Sequence, residues 1–244
     1  MMRKMGMMLA AGALAACSAQ EQAASADAAD TARAAAPAQA SDSIIGPTAD
    51  VADSGTGTAI HIHPGLPPHR FALHGSEPGV VDSIVVWVDG DRVQTLRPRE
   101  NQLPADAEME RVSSIDLDYD GYADLAFLNS VALANSRSEY WRFDPSTRRF
   151  VAVGELETLT PDSAAREHVT FNRGGHGGRL WTAARLRWMD GRLITIAEEE
   201  QMHEEGERYV HVVRRHRDGR MTETGREMLQ GDDQLRAGPS WMAP

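Results

Sequence analysis

From about residue 59 onward, runs of β-branched and aromatic residues alternate with short polar turns. Ile84-Val85-Val86-Trp87-Val88 leads into Asp89-Gly90 and then Arg92-Val93-Gln94-Thr95-Leu96. Leu186-Arg187-Trp188-Met189, Asp190-Gly191 and Arg192-Leu193-Ile194-Thr195-Ile196 repeat the scheme. Tyr209-Val210-His211-Val212-Val213 with the turn Asp218-Gly219 is a third instance. Asp-Gly between two such runs is the signature of a tight two-residue hairpin. No stretch of this region sustains an apolar period of 3.6, and only Ala105 to Arg111 has room for a helical turn. The pattern predicts an all-β, antiparallel, meander-like domain over 59–244, without a repeat of fixed period.

The preceding segment reads differently. Twelve of the 23 residues from Ser18 to Ala40 are alanine, and no leucine, valine, isoleucine or aromatic residue lies among them. Such a segment has nothing to bury and predicts a flexible tether over 17–58. An alanine-rich helix lying on the domain is the alternative. Arg3 and Lys4 precede an apolar stretch, Met5 to Ala16, too short for the roughly 20 residues of a membrane-spanning helix. It ends Leu14-Ala15-Ala16-Cys17, the form of a bacterial lipoprotein signal, so residues 1–16 are expected to be removed and Cys17 acylated. Two or more acyl chains anchor a protein stably to a membrane. Serine rather than aspartate at position 18 resembles lipoproteins sent to the outer membrane, facing the periplasm.

Composition narrows the function classes. The chain has 244 residues, 25 Lys+Arg against 36 Asp+Glu, and a net charge of −11. Loss of Arg3 and Lys4 with the signal takes the mature chain to −13. That balance argues against nucleic acid, whose binding rests on a basic footprint. Cys17 is the single cysteine, which excludes an internal disulfide and a thiolate zinc site.

The stretch Asp116-Leu117-Asp118-Tyr119-Asp120-Gly121-Tyr122-Ala123-Asp124 carries the most chemistry. Its carboxylates stand at loop positions 1, 3, 5 and 9, with glycine at 6. Ca²⁺ takes six to eight hard oxygen ligands, and alternate carboxylates in a tight loop converge on one point. Asp116, Asp118, Asp120, the Tyr122 carbonyl and Asp124, directly or through a water, are the expected calcium ligands. Position 12 is Phe127 instead of the glutamate of an EF-hand, and Leu125-Ala126-Phe127-Leu128 reads as a strand. The competing reading is an acidic surface turn without an ion.

Such a loop running into a strand resembles those of integrin-like β-propeller blades. The order of motifs is also similar to a family of periplasmic lipoproteins of Xanthomonas-type bacteria. That order is Val85 to Leu96, the aspartate loop, Asn135 to Phe150 with Tyr140-Trp141-Arg142-Phe143-Asp144, then the Trp-Met-Asp-Gly-Arg-Leu hairpin. The resemblance implies a calcium-binding immunity protein. Its partner would be a lysozyme-like peptidoglycan hydrolase injected by a bacteria-killing type IV secretion system. Inhibition would work by plugging the hydrolase cleft. Asn135 and Tyr140, with Arg173 and His176, are the candidates for the inserted surface.

Three further groups each carry two readings. His61 and His63, spaced to share one face of a strand, with His69 and His74, would suit Zn²⁺ or Cu²⁺. Asn172 to Arg179 sets four glycines around His176, either to enter a partner's cleft or as a plain hairpin connection. Glu198-Glu199-Glu200 with Glu204, Glu205 and Glu207 reads as a solvated hairpin end, or as a surface steering a basic partner. No catalytic set is marked: there is no Gly-x-Ser-x-Gly and no His-Glu-x-x-His. The expectation is a binding protein, not an enzyme, without a small-molecule substrate. A purely structural envelope lipoprotein and a wall-cleaving enzyme are the alternatives.

Overall fold

The computed structural model describes residues 57–101, 103, 110–132, 135–206, 208–231 and 234–242. The signal segment, Cys17, nearly all of the tether, the helical turn expected near 105 and Glu207 lie outside the described residues.

Among the described residues three antiparallel sheets follow one another along the chain. The first holds β1 (Thr58–Ile60), β2 (His69–His74), β3 (Ser83–Val88) and β4 (Asp91–Leu96). The second holds β5 (Val112–Ile115), β6 (Asp124–Ala132), β7 (Asn135–Asp144) and β8 (Arg149–Glu157). The third holds β9 (Thr160–Asp162), β10 (Glu167–Arg173), β11 (Trp181–Met189), β12 (Arg192–His203), β13 (Arg208–Arg217) and β14 (Arg220–Gln230). Within each sheet every strand pairs with its neighbours in sequence, so the meander expected from the hairpin pattern is the fold.

The turn chemistry explains why. Asp89 and Gly90, Asp190 and Gly191, and Asp218 and Gly219 all have φ between 50° and 90°. Two consecutive left-handed residues form the turn whose twist matches that of the flanking strands. Ladder pairs Val88–Asp91, Met189–Arg192 and Arg217–Arg220 close these loops at two residues each.

The second sheet is the middle layer. On one face Leu125, Phe127, Trp141 and Phe143 pack with Ile60, Phe71, Ile84 and Val86 of the first sheet. On the other, Ala126 and Tyr140 pack with Leu186 of the third. A strand buried on both faces reads as a continuous apolar run, which is why Leu125 to Leu128 lacks alternation. Two side-chain amides stitch the layers together by imitating a neighbouring peptide group. Gln94 donates to the Phe150 carbonyl (2.8 Å) and accepts from the Phe150 N–H (2.9 Å). Asn135 does the same with Arg173, at 2.9 and 2.8 Å.

Two expectations are corrected. His61 and His63 do not share a strand face: β1 ends at Ile60, and both lie in the loop that follows, with buried Ile62 between them. Glu198, Glu199 and Glu200 are not a solvated hairpin end, because β12 continues through them to His203. Glu199 is buried there and accepts hydrogen bonds from the Ser240 N–H (2.8 Å) and hydroxyl (2.5 Å), with His211 Nε2 at 3.2 Å. Glu200 pairs with Arg214 across the ladder at 2.5 Å. Long-range partners thus turn an acidic run into part of a sheet.

Candidate metal centre

The loop from Asp116 to Ala123 connects β5 to β6, and the ladder pair Ile115–Asp124 pins its two ends. The Asp116 carboxylate folds it, accepting the N–H groups of Asp120 (3.1 Å) and Gly121 (3.0 Å). Asp120 in turn accepts the Tyr122 N–H at 2.8 Å. Tyr119 (φ 57°) and Gly121 (φ 89°) supply the left-handed residues that a turn this sharp requires.

The result is that Asp116, Asp118 and Asp120 each bring a carboxylate oxygen within 4.8 Å of the others. The Asp118 side chain is only 10% exposed. One of its oxygens faces Arg142 Nη1 at 3.3 Å; the other, Oδ1, is buried with no hydrogen-bond partner. Burial first, then the neighbouring Asp120 charge, raises the Asp118 pKa, and Arg142 only partly opposes this. A buried acceptor without a donor is costly, and so is crowding three carboxylates. A bound cation relieves both. The donor set is all hard oxygen, so these residues fit a metal ion of the oxygen-seeking class.

Asp124 stands apart from the three. It is 1% exposed, and its two oxygens accept the N–H groups of Leu117 and Phe143, each at 2.7 Å. It braces the start of the loop against β7. Burial pushes its pKa up to about 7, although both N–H groups favour the ionised form; Asp118 and Asp116 add to the rise. In cation-free protein the folded chain therefore holds this proton up to about pH 7, while the unfolded chain releases it near 3.8. Between those values the folded state binds more protons, so this group's stabilisation is complete at acid pH and lost as pH rises through about 7. Melting curves in chelator at about pH 5 and about pH 8 should show it, and the loss should be smaller in Asp124→Asn. Equal pH slopes in wild type and variant would count against this assignment.

Tyr122 places its ring between His63 (centroids 4.5 Å apart) and Phe143 (5.8 Å). The loop also reaches the segment after β1 and the start of β10. Ala123 N–H donates to the Ile62 carbonyl at 2.7 Å. Tyr119 hydroxyl donates to the Glu167 carbonyl at 2.6 Å, and Arg166 donates back to the Tyr119 carbonyl at 2.6 Å. Fully buried His168 donates Nε2–H to the Leu117 carbonyl at 3.0 Å, and burial holds its pKa below the usual value. Arg142, Arg166, Glu167 and His168 carry no local signal of this role, since they sit 24 to 51 residues from their partners.

Against the loop lies an open cleft of about 500 Å³, bounded by His61, His63, Pro64, Asp116, Gly121 and Tyr122. Two groups singled out separately in the sequence thus meet. The four early histidines, however, do not gather. His69 is buried, donates Nδ1–H to the Pro67 carbonyl at 3.1 Å and packs edge-on to Phe143 and Phe150, while His74 is exposed at the end of β2. Among the described residues the aspartate trio is the group of three or more ligating side chains close enough to share a metal ion.

The four partner-surface candidates also separate. Tyr140 is a core residue, 1% exposed, and its hydroxyl accepts the Leu159 N–H at 2.8 Å, so it is not available to a partner. Asn135 and Arg173 are brought together by the amide clamp between the second and third sheets. His176 is exposed in the connection between β10 and β11, its ring centroid 4.5 Å from that of His203.

No protein-family model matches the chain, and no curated protein matches it. Among solved structures, that of a Xanthomonas type IV secretion system related protein is similar to this one. It matches at a TM-score of 0.47 and 12% identity, over 73% of this chain and 97% of that one.

Proposed function

We propose that this protein is a calcium-stabilised, lipid-anchored binding protein on the periplasmic side of the outer membrane. Its role is to block a lysozyme-like peptidoglycan hydrolase as an immunity protein. The observation that carries the calcium part is the convergence of Asp116, Asp118 and Asp120 around a buried carboxylate oxygen that lacks a donor. The Tyr122 carbonyl and water complete the oxygen set, and Asp124 supports the loop from behind. The motif order from Val85 to the Trp188 hairpin supports the immunity part, and so does the address written in residues 1–17. With no marked catalytic set, the chain acts by occupying a cleft and not by turnover. A loop already ordered by an ion loses less entropy on binding. A mature charge of −13 speeds encounter with a cationic hydrolase, more at low salt than at high.

Cys17→Ser is expected to leave the chain unprocessed and off the outer membrane, so the test uses the chain from Ser18 onward, which lacks both the apolar signal segment and the acylated cysteine. Mixed with the hydrolase encoded beside its gene, it should stop wall lysis near one equivalent, and the two should co-elute in gel filtration. Full lysis and no complex with every such hydrolase would favour the second reading, a structural envelope lipoprotein. The hydrogen bonds of the loop and of Asp124 to the segment after β1, to β10 and to β7 suit that role as well.

A further inference from the structure

A second site lies away from the aspartate loop, at one end of the third sheet. His203 is the last residue of β12, and its ladder partner is Tyr209 of β13. Its position is therefore fixed by the sheet. His203 Nε2 lies 2.6 Å from the Gly206 carbonyl, and a carbonyl can only accept, so Nε2 carries the proton. That leaves Nδ1 with its lone pair. A metal-ligating histidine has the same arrangement: one ring nitrogen donates to a backbone carbonyl and the other faces the ion.

The second imidazole arrives from the glycine-rich connection between β10 and β11. The chain there makes a four-residue helical turn, Gly175–Gly178, in which His176 (φ 55°) and Gly177 (φ 68°) are left-handed. A left-handed non-glycine residue is uncommon and tends to persist where its surroundings hold it. The Gly174 N–H to Leu180 carbonyl bond, 2.7 Å, closes the turn at its base. The outcome is that the His176 and His203 rings come side by side, centroids 4.5 Å apart and planes tilted by 42°. Tyr209, buried, stands nearly perpendicular to His176 at 6.3 Å and forms the floor beneath the pair. Both imidazoles are exposed, so an ion can reach them.

We propose that His176 and His203 form a two-imidazole seat for a transition-metal ion, Zn²⁺ or Cu²⁺, with its remaining positions taken by water. Imidazole nitrogen suits these ions, and Cu²⁺ binds such donors more tightly than Zn²⁺. Ca²⁺ prefers oxygen and should not compete, so this seat and the aspartate loop are chemically distinct.

The test titrates the tag-free full chain, stripped of metal and held in calcium, with Cu²⁺ and separately with Zn²⁺. One equivalent should bind at this seat, with Cu²⁺ the tighter. The copper electron paramagnetic resonance spectrum should show coupling to two imidazole nitrogens. His176→Ala and His203→Ala should each weaken binding by about tenfold or more. His61→Ala and Asp118→Ala should leave it unchanged. Both imidazoles are exposed side chains, so the variants are expected to fold. Binding that persists at full strength in the double variant His176→Ala/His203→Ala overturns the proposal, as does a copper spectrum without nitrogen coupling. Neither result would bear on calcium at Asp116, Asp118 and Asp120.

Discussion

Replacing Asp124 with alanine should lower the unfolding free energy by about 2–4 kcal/mol in urea denaturation. The substitution leaves the buried N–H groups of Leu117 and Phe143 without acceptors. Each unsatisfied buried N–H costs about 1–3 kcal/mol, and part of that is offset because a carboxylate no longer has to be buried. Asp124→Asn keeps one acceptor oxygen but turns an NH₂ group toward the other N–H, so it should fall between alanine and wild type. The loss should appear with or without calcium, because the role assigned to Asp124 is to brace the loop and not to bind the ion directly. An alanine variant within about 0.5 kcal/mol of wild type, the range of an ordinary surface change, would remove Asp124 from that role.

Calcium should raise the melting temperature, and a chelator should lower it. An ion that binds only the folded state stabilises it by about 2.7 kcal/mol at a hundred times its dissociation constant. For a chain of this size that corresponds to roughly 5–10 °C. Asp118→Ala and Asp120→Ala should abolish the response. Asp118→Ala also removes the buried oxygen that lacks a donor, so its cation-free form should lose little stability or even gain some. Identical melting curves in calcium and in excess chelator, with no metal retained by the protein, would leave the loop as a hydrogen-bonded acidic turn.

Much of the fold was legible because its determinants are local. Asp89-Gly90, Asp190-Gly191 and Asp218-Gly219 specify left-handed turns through two residues each, and a two-residue turn dictates which strands pair. A meander built from such hairpins needs no long crossover, so strand order follows sequence order. The aspartate spacing with Gly121 was likewise sufficient to bring three carboxylates to one point, since all of them lie within one short loop.

Tertiary structure alone decided the rest. Asp124 looks like a ninth-position ligand in sequence; it becomes a brace because Phe143, 19 residues later, presents an N–H to it across the sheet. Tyr140 sits in a polar-looking motif, yet it faces the core, because the middle sheet is covered on both sides. His61 and His63 leave the strand early, and Ile62 rather than either imidazole enters the core. Glu199 is paired with His211 and Ser240, 12 and 41 residues away. His176 and His203, 27 residues apart, meet through a glycine turn and a strand end. The residues alone determined what is encoded in a few adjacent positions: turns, strand pattern and the loop's charge. Which polar side chains are buried, and which of them meet, depends on how three sheets stack. That is a long-range packing outcome, and no local pattern carries it.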